Sequence, residues 1–152
     1  MPSVQRTVDS HNALRHHAVI GLSGKVLRDF YEYFGFTHLV VEEIPDASYI
    51  QALTGGAWSS ALIIKLKNYD GHVLEIIEPE GLSAANDFST VTSWAHIAIA
   101  VTNCDQATQR VVEMGGSQVG GPISNPDSPY RVAYVRDPSG NLIELVESLV
   151  FP

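Results

Sequence analysis

The sequence predicts an α+β fold built from two copies of one unit, each a strand, a helix and three further strands. Three observations predict it. β-rich runs alternate with two helical stretches, and the order of elements repeats on either side of a polar connector. Local sequence repeats with that order: Asp70-Gly71-His72-Val73-Leu74-Glu75-Ile76 matches Ser139-Gly140-Asn141-Leu142-Ile143-Glu144-Leu145, and His17-Ala18-Val19-Ile20-Gly21-Leu22 matches His96-Ile97-Ala98-Ile99-Ala100-Val101. A supersecondary unit repeated this way points to a duplicated architecture rather than to two unrelated domains.

The first unit opens with a β-rich run over 16–22 that stops at Ser23-Gly24. Val26, Leu27, Phe30, Tyr31 and Phe34 then recur at helical spacing, and Gly35 supplies a stop. Strands follow at 36–43, 61–67 and 72–77; the last two are joined by Asn68-Tyr69-Asp70-Gly71, a hairpin signal. The stretch 44–59, with Pro45, Asp46 and Gly55-Gly56, reads as irregular. It is long for a connection inside a compact domain, which suggests a lid whose Tyr49, Ile50, Leu53 and Trp58 close over the site or cover a partner subunit. A polar, small-residue connector over 79–93 marks the boundary between units, giving one unit over 12–80 and another over 93–149 within one compact domain. The second unit reads as a strand at 94–101, a helix at 104–114 ending at Gly115-Gly116, and a short strand at 117–120. A Pro- and Ser-rich loop over 121–129 follows, then strands at 130–136 and 141–148 around the turn Asp137-Pro138-Ser139-Gly140.

Composition narrows the function classes. The chain has 152 residues, with 9 Lys+Arg against 17 Asp+Glu and a formal charge of −8. Surfaces that bind nucleic-acid phosphates or anionic lipid are basic, so neither partner is expected. The single cysteine, Cys104, excludes a disulfide scaffold and a Cys-based zinc cluster. No apolar run approaches the length of a membrane span, and the first residues lack the apolar core of a signal peptide, so a cytoplasmic protein is expected.

Chemistry concentrates at four matching places: His17 and His96 near the starts of the first strands, Glu75 and Glu144 inside the last strands. Each glutamate stands in an apolar run, where an unpaired carboxylate would be strongly penalised. In the second unit Ile97, Ile99 and Val101 point one way while His96, Ala98 and Ala100 point the other, and the alanines leave room around the imidazole. Two imidazoles and two carboxylates suit one divalent first-row ion among Zn, Mn, Co, Ni and Fe.

The stretches Arg28 to Phe36 (RDFYEYFGF), Asp70 to Ile76 (DGHVLEI), His96 to Val101 (HIAIAV) and Asp137 to Leu145 (DPSGNLIEL) resemble the vicinal oxygen chelate superfamily. That superfamily includes glyoxalase I, methylmalonyl-CoA epimerase, extradiol dioxygenases, fosfomycin-resistance enzymes and bleomycin-binding proteins. The resemblance implies two βαβββ modules forming a cupped, eight-stranded mixed sheet around one metal, with one ligand from each of four strands. Carried over, these are His17, Glu75, His96 and Glu144. Alternation lets only one of His16 and His17 reach the cup. His17 turns Ala18, Ile20 and Leu22 towards the helix and is the expected ligand, whereas the distance to Phe30-Tyr31 fits His16 better.

The resemblance further implies proton transfer beside a carbonyl, with Glu144 as the proton carrier. An epimerase or isomerase acting on a methylmalonyl-like thioester or a cyclitol ketone such as a valiolone is expected. Alternatives are a glyoxalase I-type lyase, a metal-dependent dioxygenase and a non-catalytic binder of a toxic compound. A second proton carrier is not evident: Lys65 stands where the family places a third-strand glutamate, and Glu42, Glu43 and Tyr49 are the substitutes. Tyr130 and Arg131 are the expected substrate contacts, and a homodimer is expected because family members often dimerise.

Overall fold

The computed structural model describes residues 15–81, 96–124 and 129–150. His11, Trp94 and most of the connector over 79–93 lie outside the described residues. Among the described residues, eight strands divide into two four-stranded mixed sheets. The first contains β1 (His17–Ile20), β2 (His38–Glu43), β3 (Ala61–Lys67) and β4 (Val73–Pro79), in the order β1-β4-β3-β2. Only β1 and β4 run parallel there; β4–β3 and β3–β2 are antiparallel. The second sheet repeats the pattern with β5 (His96–Ala100), β6 (Ser117–Ser124), β7 (Tyr130–Arg136) and β8 (Leu142–Ser148), in the order β5-β8-β7-β6. Helix α1 (Gly24–Tyr33) follows β1 and helix α3 (Cys104–Glu113) follows β5. The strand–helix–three-strand order is therefore present in both halves.

Two segments differ from expectation. The stretch 44–59 contains a short helix, α2 (Ala47–Leu53), because Asp46 accepts from the backbone N–H groups of Ser48 and Tyr49 and so caps it. Ile50 anchors α2 by burial, while Tyr49 and Leu53 remain exposed. β6 extends through Ser124 instead of ending at 120, since Ile123 and Ser124 regain partners on β7 beyond a register shift.

Each sheet turns one face to its helix and the other away. Val19, Ile64, Leu66, Leu74 and Ile76 pack on Leu27, Phe30 and Tyr31; Ala133, Val135, Ile143 and Leu145 pack on Cys104, Ala107 and Val111. These side chains form one buried cluster, so the helix-facing sides of both halves share a core. Both helices start in the same way. Glu78 accepts the Gly24 N–H at 2.6 Å, and Glu147 accepts the Cys104 N–H at 2.8 Å, placing a carboxylate against each positive helix end.

The halves are joined by polar contacts from the stretch Asp137 to Asn141. The Tyr31 hydroxyl donates to Asp137 at 2.8 Å, and Asn141 Nδ2 donates to the Ile20 carbonyl at 2.8 Å. Gly21 lies at this junction; a Cβ there would overlap the Ser139 and Leu27 side chains. Arg110 of α3 stacks over the Tyr33 ring of α1 at 5.8 Å.

Candidate metal centre on the open sheet faces

On the faces turned away from the helices, each half holds one imidazole–carboxylate pair. His96 Nε2 lies 3.2 Å from Glu144 Oε2, and the register Ala98↔Glu144 puts both on the side of Ala98. In the other half the register is Ala18↔Glu75, and His16 Nε2 lies 3.0 Å from Glu75 Oε2. The imidazole beside Glu75 is therefore that of His16 and not that of His17, the expected ligand. His17 stands on the opposite side of β1 with Val19, which is 5 % exposed. The side-chain count that favoured His17 fails because Val19, not Ile20 or Leu22, is the buried residue of β1; those two are 38 % and 46 % exposed. His17 instead lines a cleft of about 460 Å³ with Phe34, Phe36, Asp70 and His72, and His96 of β5 lines the same cleft.

The third strands contribute a second matched pair that sequence reading did not assemble. Lys65 of β3 registers with Glu75, and Tyr134 of β7 registers with Glu144. Lys65 Nζ lies 3.4 Å from Glu75 Oε1, and the Tyr134 ring meets the His96 ring edge-on at 5.2 Å. The signal was available: the offset that carries Glu75 onto Glu144 also carries Lys65 onto Tyr134 and Glu78 onto Glu147.

Other candidates fall elsewhere. Arg131 points to the helix side, where its guanidinium pairs with Asp105 and is held charged by that contact, so it does not share the Glu144 face. Alternation from Tyr134 places Tyr130 on that open face at the strand end, 44 % exposed. Glu42 pairs with Arg28 of α1 at 3.3 Å on the helix side. Asp137 is buried, and its carboxyl is held above the ordinary range by burial, against opposing hydrogen bonds from Asn141, Tyr31 and Ser139.

Nitrogen and carboxylate donors of this kind fit a divalent ion, and each pair already sets its donor atoms close together. Within one chain, however, no three His, Cys, Asp or Glu side chains converge on a common point among the described residues. The expectation that a single chain gathers all four ligands is not met. The halves pack through their helix-facing sides, which leaves the two pairs on separate open faces.

The family model for the Glyoxalase/Bleomycin resistance protein/Dioxygenase superfamily matches residues 25–145, and the chain belongs to that superfamily. The fold is similar to a glyoxalase family protein of Bacillus cereus, with a TM-score of 0.74 and 23 % identity over 94 % of this chain and 100 % of that one. It is also similar to the fosfomycin resistance protein FosX of Mesorhizobium loti, with a TM-score of 0.55 and 18 % identity over 91 % and 92 % of the two chains. FosX of Listeria monocytogenes complexed with Mn(II) and sulfate gives a TM-score of 0.59 and 17 % identity over 90 % and 92 %. No curated protein matches the chain. No helix among the described residues is long and apolar enough to cross a membrane.

Proposed function

We propose that this protein is a metal-dependent epimerase or isomerase, a cytoplasmic homodimer acting on a small molecule by moving a proton on the carbon beside a carbonyl. Residues 12–80 and 93–149 serve as its two modules. The observation that carries the reading is the matched placement of His16–Glu75 and His96–Glu144 at equivalent positions of the two open faces. A second copy, setting its His96–Glu144 face against the His16–Glu75 face of the first, completes a four-residue set that neither chain assembles alone. Family membership and the Mn(II) bound by Listeria FosX support a divalent ion at such a set.

A divalent ion there supplies electrophilic stabilisation of the charge that develops on a carbonyl oxygen when the neighbouring carbon loses its proton. The chain's own residues supply the rest. Glu144 is the proton carrier: its side chain is 25 % exposed on the open face, reachable by a small molecule, and His96 fixes one of its oxygens. Tyr134 packs edge-on against His96 and holds the imidazole plane. Tyr130, exposed on the same face, is the proposed substrate contact. Ala18 and Ala98, small residues beside the two glutamates, leave space for the bound molecule.

Proton–deuterium exchange tests this. Protein loaded with Mn(II), Co(II) or Zn(II) is incubated in deuterated water with a methylmalonyl-type thioester and with a polyhydroxylated cyclic ketone. Exchange of the carbon-bound proton that is lost with chelator and in Glu144→Gln is the expected result. Absence of exchange with either substrate, alongside oxygen uptake on a catechol or chelator-insensitive ligand binding, contradicts it in favour of a dioxygenase or a binding protein.

A further inference from the structure

The geometry points to Lys65 as an anion anchor that selects substrates carrying a carboxylate, phosphate or phosphonate group; this rests on the proposed metal-dependent reading of the same open face. The chain is acidic overall and has three lysines, Lys25, Lys65 and Lys67. Two of them stand on the open side of one strand: Ile64 and Leu66 of β3 are buried in the core, so Lys65 and Lys67 project the other way. Register places Glu75, Glu43, His16 and His38 on that face as its other ionisable groups. Lys65 and Lys67 therefore stand, beside the carboxylates of Glu75 and Glu43, on the face where a small molecule would bind.

A purely structural role explains this poorly. A half-exposed cross-strand Lys–Glu pair contributes only about 0.2–1 kcal/mol. The Lys65 side chain is 32 % exposed and reaches Glu75 Oε1, while His16 holds Oε2 of the same carboxylate. Were a divalent cation to engage Glu75, the carboxylate would no longer neutralise the Lys65 ammonium, and the cation would repel the ammonium towards the open face. There an oxyanion on the substrate restores neutrality, and a lysine, with three donors and a flexible stem, follows it. The other half carries Tyr134 at the equivalent position, a neutral phenol. The two halves thus present unlike groups at matched places, and the anionic end of a substrate is directed to the Lys65 side.

The test uses the full chain with inorganic phosphate as probe. Calorimetry measures phosphate binding to the parent, Lys65→Gln and Lys65→Arg, each metal-free and Mn(II)-loaded, and Mn(II) binding is measured separately. The expected result is phosphate binding at least about tenfold weaker in Lys65→Gln and within about threefold of the parent in Lys65→Arg, with Mn(II) affinity unchanged or higher in Lys65→Gln. Equal phosphate affinity in Lys65→Gln and the parent, no phosphate binding by the parent, or loss of Mn(II) binding in Lys65→Gln overturns the anchor. A parent that binds no Mn(II) overturns the metal-dependent reading instead, and the metal-free phosphate series still decides the role of Lys65.

Discussion

The Tyr31 hydroxyl donates a 2.8 Å hydrogen bond to Asp137 across the junction of the two halves, and both residues are buried. Asp137 also accepts from the backbone N–H groups of Ser139 and Asn141 and from Asn141 Nδ2. One carboxylate therefore closes its own turn and ties it to α1. Tyr31→Phe removes a donor from a buried acceptor and is expected to cost about 1–3 kcal/mol in urea unfolding, without changing metal affinity.

The same carboxylate makes stability depend on pH. Burial raises its pKa above the ordinary value of 3.8. A raised folded-state pKa gives a contribution fully present below the ordinary value and lost as pH rises through the raised one. The stability of the parent relative to Asp137→Asn is expected to be greatest below that ordinary value and to shrink on raising the pH towards neutrality. Paired urea titrations across that interval check the sign; a difference that grows with pH contradicts it.

Glu78 and Glu147 act as remote caps of α1 and α3. Glu78→Ala and Glu147→Ala are each expected to destabilise the fold by about 0.5–2 kcal/mol. Hydrogen exchange should quicken first in the first turn of the affected helix. Loss of protection elsewhere, with the helix start unchanged, would contradict the capping role.

His16 and His17 separate the two readings of β1. His16→Ala is expected to lower Mn(II) affinity by more than the roughly 10–100-fold typical of groups that only orient a ligand. His17→Ala, whose side chain lies beside Val19 and Phe34 rather than Glu75, should leave it nearly unchanged. Titration of both variants with Mn(II) decides between them.

Much of this architecture was legible in the chain because duplication prints twice. Turn chemistry at Asn68 to Gly71 and at Asp137 to Gly140, together with the apolar runs around Glu75 and Glu144, placed both hairpins and both glutamates. What was missed depends on register. Adjacent histidines face opposite ways, and choosing between them needs to know that Val19, rather than Ile20, is buried. Arg131 entered β7 on the helix side because Ala133 and Val135 share that side in the core. α2 was hidden because its seven residues carry one buried anchor, Ile50, too few for a periodic signal. The most characteristic stretch, Asp137 to Leu145, divides its roles: Asp137 and Asn141 join the halves, while Glu144 meets His96 on the open sheet face.

Anomalous scattering at the manganese edge, on crystals of the full chain grown with Mn(II), locates the ion that the two imidazole–carboxylate pairs are proposed to hold. One peak per chain is expected, bounded by His16 and Glu75 of one copy and by His96 and Glu144 of its partner. A peak held by other side chains, or two chains in contact with no manganese between those faces, would contradict this shared site.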